Sequence, residues 1–135
     1  MSNTRTITIS WQGGLRFEGG APGGPTVSID GDNTTAPGPM QQLLLAIASC
    51  SGSDVVGFLE KARVALRRCD IEVTGTRRED HPRRYLAVHM TFRLAGAGLD
   101  DTKARRAIEL SVGKYCSVIH SLNPDMPITW DVELS

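Results

Sequence analysis

Residues 4–11, TRTITISW, alternate polar and apolar side chains, the period-two pattern of a strand. Gly13-Gly14 marks a turn, and LRFEG after it reads as a second short strand. A Gly/Pro loop over 21–25 separates this from a third strand, TVSID at 26–30. These spacings predict an opening β-meander. A polar, Pro-rich loop over 31–39 leads into a long helix. Pro39 suits the first helical turn, where its missing N–H has no intrahelical partner to lose, and no proline follows from Met40 to about Arg63. The run LLLAIASC is apolar on all sides, which predicts a helix buried in the core. At 1.5 Å per residue it would be roughly 35 Å long. Gly52 and Gly57 weaken it by about 1 kcal/mol each, a cost that close packing against another helix would explain.

The second half alternates again. CDIEVTGT (69–76) and YLAVHMTFRL (85–94) read as two strands of a long hairpin, joined by the charged turn RREDHPRR. Leu86, Val88, Met90 and Phe92 fall on one face of the second strand. Asp100 or Asp101 can cap a helix that runs through DTKARRAIELSVGKYCSVIHSL, with Gly113 as a break and Asn123-Pro124 as the stop. ITWDVEL (128–134) is a last strand. The order β-β-β-α-β-β-α-β predicts an α+β chain with two antiparallel strand groups. With 135 residues, one domain over 1–135 is expected, large enough for a core without staples.

Charge narrows the partners. Lys plus Arg and Asp plus Glu each total 15, so the formal net charge is zero, and neither a nucleic-acid nor a membrane partner is expected. The arginine pairs 67-68, 77-78, 83-84 and 105-106 read as solvated surface. The N-terminus has no apolar run of signal-peptide length. The longest uninterrupted apolar run, Leu43–Ala48, falls far short of the ~20 residues that span a bilayer. A soluble, cytoplasmic protein is therefore expected. In a reducing compartment its three cysteines are core residues, metal ligands or reactive thiols rather than a disulfide framework.

Taken singly, each cysteine is most simply a small buried hydrophobe. Cys50, between Ser49 and Ser51, and Cys116, between Tyr115 and Ser117, stand apart because each lies on a predicted helix with polar neighbours. Cys69 begins a strand and reads as structural. No Cys-x-x-Cys, His-x-x-x-His or His-Glu-x-x-His spacing occurs. Cys116 and His120 supply two ligands, which do not make a site, so no metal is expected. DGDNTTAPGPMQ opens like a calcium loop but lacks its central glycine and final glutamate.

Two stretches are similar to a known family. APGPMQQLLLAIASCSGSDVV resembles the Pro-x-Glu-x-Leu-x-x-Ala-x-x-x-Cys helix of the OsmC/Ohr family, the osmotically inducible protein C and organic hydroperoxide resistance proteins. GKYCSVIHSLNP resembles that family's second-cysteine segment. The wording SCSGSDVV is nearer the YhfA-type branch than the Ohr branch. The resemblance implies an OsmC-like fold in an intertwined homodimer, with two central helices wrapped by antiparallel sheets and active sites at the subunit interface. It implies a thiol peroxidase of oxidative or osmotic stress defence: Cys50 attacks a small organic hydroperoxide and becomes a sulfenate, and Cys116 resolves it as a disulfide. No bound cofactor is implied, but an external dithiol reductant is, a lipoylated or thioredoxin-like protein.

The activating groups depart from the family pattern. The family's glutamate falls on Gln41; the one meander arginine apart from Arg5 at the edge is Arg16, which reads equally as the family's arginine or as an exposed strand charge. Gln41 precedes Cys50 by nine residues, about 13 Å along the helix, so it could act only across a dimer interface. Asp54 lies one turn after Cys50 on the same face. A carboxylate there would raise the thiol pKa, pair with Arg16 or cap a polar pocket. The loss of the glutamate motivates an alternative: a non-enzymatic stress-response or small-ligand-binding protein on the same scaffold. Plain redox sensing by reversible oxidation is a third reading.

Overall fold

The structure, a computed structural model, describes residues 3–135. Met1 and Ser2, included in the single-domain expectation, lie outside the described residues. Two compact units, Met1–Leu43 and Leu44–Ser135, divide the chain within its long helix.

The first unit is the predicted meander. Strands β1 (Thr8–Trp11), β2 (Arg16–Gly20) and β3 (Thr26–Asp30) form an antiparallel sheet in that order, with Trp11 opposite Phe17 and Phe17 opposite Ile29. The β1 ladder begins at Thr8, later than the alternation suggests, because β2 ends opposite it at Gly20. Gly13 and Gly14 take positive φ in the β1–β2 turn, a conformation that a side chain would strain.

One carboxylate organises the loop after β3. Asp30 is 2% exposed. Its Oδ1 accepts the Asp32 N–H at 2.9 Å. Its Oδ2 accepts the Thr35 N–H at 2.9 Å and the Thr34 and Thr35 hydroxyls at 2.8 and 2.9 Å. These donors, the Thr35 and Asp32 N–H groups foremost, hold the Asp30 carboxyl well below the usual carboxylate range. The folded-state value is therefore lower than the unfolded value near 3.9. The stabilisation is complete above about pH 4 and is lost as pH falls below it. Urea midpoints of the native protein should drop more steeply between pH 5 and pH 2.5 than those of Asp30→Asn, which lacks the titrating group.

Helix α1 (Pro39–Lys61) follows. Its buried positions Ile47, Ser51, Val55 and Leu59 recur every four residues, with Gly52 beside them, so one face is buried within the chain. Leu45 and Val56 are 54% and 40% exposed, which corrects the expectation of a helix buried on all sides. Gly52 packs against a strand rather than a helix: a Cβ there would lie 3.0 Å from Ile71 Cδ1. Nothing in the structure explains Gly57, which faces open space. By length and composition α1 could cross a membrane, but its buried row and the hydrogen bonds of Ser51 and Asp54's partner Ser111 are those of a core helix. The helix ends at Arg63 in the left-handed region, where Arg63 N–H meets Glu60 O and Val64 N–H meets Leu59 O, both at 3.0 Å.

Strands β4 (Ala65–Arg77) and β5 (Tyr85–Ala97) form the long hairpin, and β6 (Ile128–Leu134) lies on the other side of β5. The β5–β6 pair is parallel, so the second strand group is mixed and not antiparallel throughout. The residues between β5 and β6 are long enough for the crossover that a parallel pair needs. Helix α2 (Asp101–Leu110) occupies that crossover, capped by Asp100, whose Oδ1 accepts the Lys103 N–H at 2.8 Å. Arg105 of α2 stacks over Trp130 of β6 at 5.8 Å.

Val88, Met90, Phe92 and Leu94 of β5 are buried, as period two requires. Leu86, expected among them, is 40% exposed. The register explains this: Thr76 pairs with Ala87 and Arg77 with Tyr85, so Leu86 is the extra residue of a bulge. The parity of facing changes there, and Tyr85 is buried in its place.

Candidate functional site

All three cysteines of the described residues are free thiols. Cys50 is half-buried on α1, and Cys116 is buried completely. The Cys50 side chain lies close enough to Cys116 to act on its thiol. Burial pushes the Cys116 thiol up to about 11. The Ile119 and Val118 N–H groups pull the other way and the Cys50 side chain adds to the rise; the Ile119 N–H points at Cys116 Sγ from 3.5 Å.

The backbone at Cys116 differs from the expected continuous helix. After Leu110 the helix widens into one π turn, Ser111–Tyr115. The Cys116 N–H closes that turn on the Ser111 carbonyl at 2.8 Å. Cys116 itself leaves helical geometry, at φ −70° and ψ 102°, and a short 3-10 turn, Ile119–Ser121, follows. The wider turn takes one residue more than an α turn, and Gly113 lies in it with open space where a Cβ would be. The result is a buried sulfur at a helix exit. The Cys116 carbonyl accepts the His120 N–H at 3.1 Å. The Tyr115 ring meets Phe58 of α1 edge-on, at 5.5 Å between centroids.

Asp54 is half-buried on α1 and accepts the Ser111 hydroxyl at 2.9 Å. Ser111 and Ser51, both fully buried, have hydroxyl oxygens 2.9 Å apart. A carboxylate accepts and does not donate, so Ser111 gives its proton to Asp54 and receives that of Ser51. The partner the structure gives Asp54 is therefore the Ser111 hydroxyl. Ser51 and Ser111 were not singled out from sequence. Their signal was slight: small polar residues on the face of α1 next to Cys50, and a serine five residues before Cys116.

Of the other sequence candidates, Arg16 and Gln41 belong to the first unit and Cys69 to β4 of the second. Arg16 turns its guanidinium back onto the carbonyls of Gly13 and Gln12, at 3.4 Å each. Gln41 is exposed in the first turn of α1. Its neighbour Gln42 is the anchored one, donating to Ser28 O at 2.8 Å and Pro37 O at 3.2 Å. Cys69 lines an open, apolar groove of about 570 Å³ with Leu45, Ala48, Val56 and Ile71. Burial, and then Asp70, raise its thiol pKa. Among the described residues no three His, Cys, Asp or Glu side chains gather as a metal site.

The Cys116 environment has a direct consequence. A thiol raised from near 9 to about 11 carries roughly 100-fold less thiolate at neutral pH. Native Cys116 should be alkylated by iodoacetamide at least that much more slowly than free cysteine at pH 7. The rate should climb until about pH 11; levelling off near pH 9 would contradict it.

Residues 30–131 match the family described as OsmC-like protein. Protein YhfA of Escherichia coli K12 is 36% identical over 127 residues, covering 93% of this chain and 95% of YhfA. A hypothetical protein from Aquifex aeolicus VF5, of known crystal structure, is similar with a TM-score of 0.84 at 26% identity over 99% of both chains. The organic hydroperoxide resistance protein OhrB of Bacillus subtilis is similar in fold, with a TM-score of 0.62 at 15% identity over 96% of this chain and 98% of that one.

Proposed function

Because this chain belongs to the OsmC-like protein family, we propose that it is a thiol peroxidase that reduces organic hydroperoxides through Cys50 and Cys116. The observation that carries this reading is the Cys50 side chain beside a fully buried Cys116. Cys50 is half-buried, so a small substrate can reach it, whereas Cys116 is shielded. In the first step the Cys50 thiolate attacks the peroxide O–O bond. One oxygen stays on sulfur as the sulfenic acid, and the other leaves with a proton as the alcohol. The Cys116 sulfur then displaces that hydroxyl, forming the disulfide and water. An external dithiol, carried by a lipoylated or thioredoxin-like protein, exchanges with the disulfide and restores both thiols.

The apolar stretch of α1 around Cys50 favours alkyl over hydrogen peroxide. The family match runs across the division at Leu43, which supports reading residues 1–135 as one OsmC-like domain. The exposed Leu45 and Val56 of α1 favour a homodimer, a burial partner that one chain does not supply. Under this reading the protein works in the cytoplasm, in oxidative or osmotic stress defence. Arg16 and Gln41 remain proposed activating or pocket residues, with Gln41 in place of a charged group.

One equivalent of an alkyl hydroperoxide should convert the Cys50 and Cys116 thiols to one disulfide, seen by mass spectrometry of the intact and digested protein. Recovering both thiols unchanged would sink the reading. Gln41 at the family's glutamate position favours the second reading, a non-enzymatic small-ligand-binding protein, which predicts that slow peroxide loss is the same with and without Cys50.

A further inference from the structure

Ser111 is bonded to both partners of the thiol pair's framework. Its carbonyl holds the Cys116 N–H at 2.8 Å, closing the π turn. Its hydroxyl reaches α1 at Asp54 Oδ2 and Ser51 Oγ, each at 2.9 Å, and at the Ser51 carbonyl at 3.5 Å. Ser51 is the next residue after Cys50, and Asp54 is one turn on. The backbone that carries the second sulfur is therefore tied, through a single fully buried side chain, to the helix that carries the first. Removing the Ser111 hydroxyl would leave the Asp54 carboxylate and the Ser51 hydroxyl without this buried partner.

We propose that Ser111 is a positioning residue that holds Cys116 beside Cys50, so that the disulfide forms readily once Cys50 is oxidised. The proposal rests on the thiol-pair reading above, but it concerns the geometry of the pair and not the oxidant. Positioning acts on the effective concentration of one sulfur at the other, and disulfide equilibria measure that quantity directly.

The test uses two oxidants on the full chain. Diamide takes two electrons and two protons from the thiol pair and needs no peroxide-specific site. In the native protein it should form the Cys50–Cys116 disulfide rapidly. In Ser111→Ala disulfide formation should be about tenfold slower, and the equilibrium against dithiothreitol should shift tenfold toward the dithiol, about 30 mV. Asp54→Ala should behave alike, and it reads the same link should Ser111→Ala fail to fold. Asp54→Asn, which keeps an acceptor for the Ser111 hydroxyl, should stay within about threefold of native. Val88→Ala weakens the sheet at a residue that takes no part in the Ser111 bonds and should leave the equilibrium unchanged, which separates positioning from general loss of stability. Equal rates and equilibria in native protein, Ser111→Ala and Asp54→Ala would overturn the proposal, as would failure of native protein to form the disulfide with diamide. A disulfide that forms with diamide but not with an alkyl hydroperoxide would remove the peroxidase reading and leave the positioning role standing.

Discussion

Cys50→Ser should lower organic hydroperoxide consumption by on the order of a hundredfold or more, because a serine hydroxyl supplies neither the thiolate nor the electron pair that cleaves the O–O bond. Cys116→Ser should behave differently. Its Cys50 can still attack, so the first equivalent of peroxide is consumed. The sulfenic acid then has no partner and persists or is oxidised further to the sulfinic acid. Turnover with a dithiol reductant would slow, and the product on Cys50 would change from disulfide to sulfenic and sulfinic forms. Peroxide consumption followed by dye oxidation, with mass spectrometry of the Cys50 peptide, separates the two variants. Equal loss in both, or no loss in either, would contradict the assignment of attack to Cys50 and resolution to Cys116. The structure motivates this asymmetry: Cys50 is half-buried, and Cys116 is fully buried with its pKa pushed up to about 11.

The largest effect on stability is expected at Phe92. It lies in the central strand β5, has no exposed surface, and pairs through the backbone with Ile71 of β4 and Val132 of β6. Phe92→Ala removes most of a large side chain from a packed site and should cost about 3–5 kcal/mol. That is a large share of the roughly 5–15 kcal/mol that holds a typical domain folded. At a urea slope of about 1–3 kcal/mol per molar, the midpoint should fall by more than about 1 M. Leu86→Ala, six residues earlier on the same strand, should shift it much less, because Leu86 sits at the bulge and is 40% exposed. Equal losses at the two positions would show that the bulge does not set which side chains are buried.

That contrast marks how far the sequence could be read. Every element of the β-β-β-α-β-β-α-β order was legible, because each long segment repeats its apolar residues at the period of one element type. Val88, Met90 and Phe92 were placed in the core on that basis. Leu86 was misplaced because a bulge shifts parity without changing composition, and only the register against β4 reveals it. The parallel β6 escaped for a related reason. Its alternation states that it is a strand, but its direction depends on how the crossover returns the chain to the edge of β5.

The candidate site divides in the same way. Cys50 and Cys116 were visible from their residue type, their polar neighbours and the motif each one completes. Ser111 was not, because its role comes from two bonds that join residues 60 and 57 positions apart in the chain. The continuous second helix was also a local inference. Gly113 hinted at a break, but the π turn that takes Cys116 out of the helix is closed by the Cys116 N–H on the Ser111 carbonyl, which local pattern does not mark. By itself, the sequence determined the element types and their order and singled out two sulfurs as candidates, since these follow from local periodicity and residue chemistry. Tertiary structure decided which side chains face inward past a bulge, which way β6 runs and what holds Cys116 beside Cys50, since each depends on pairings between distant segments.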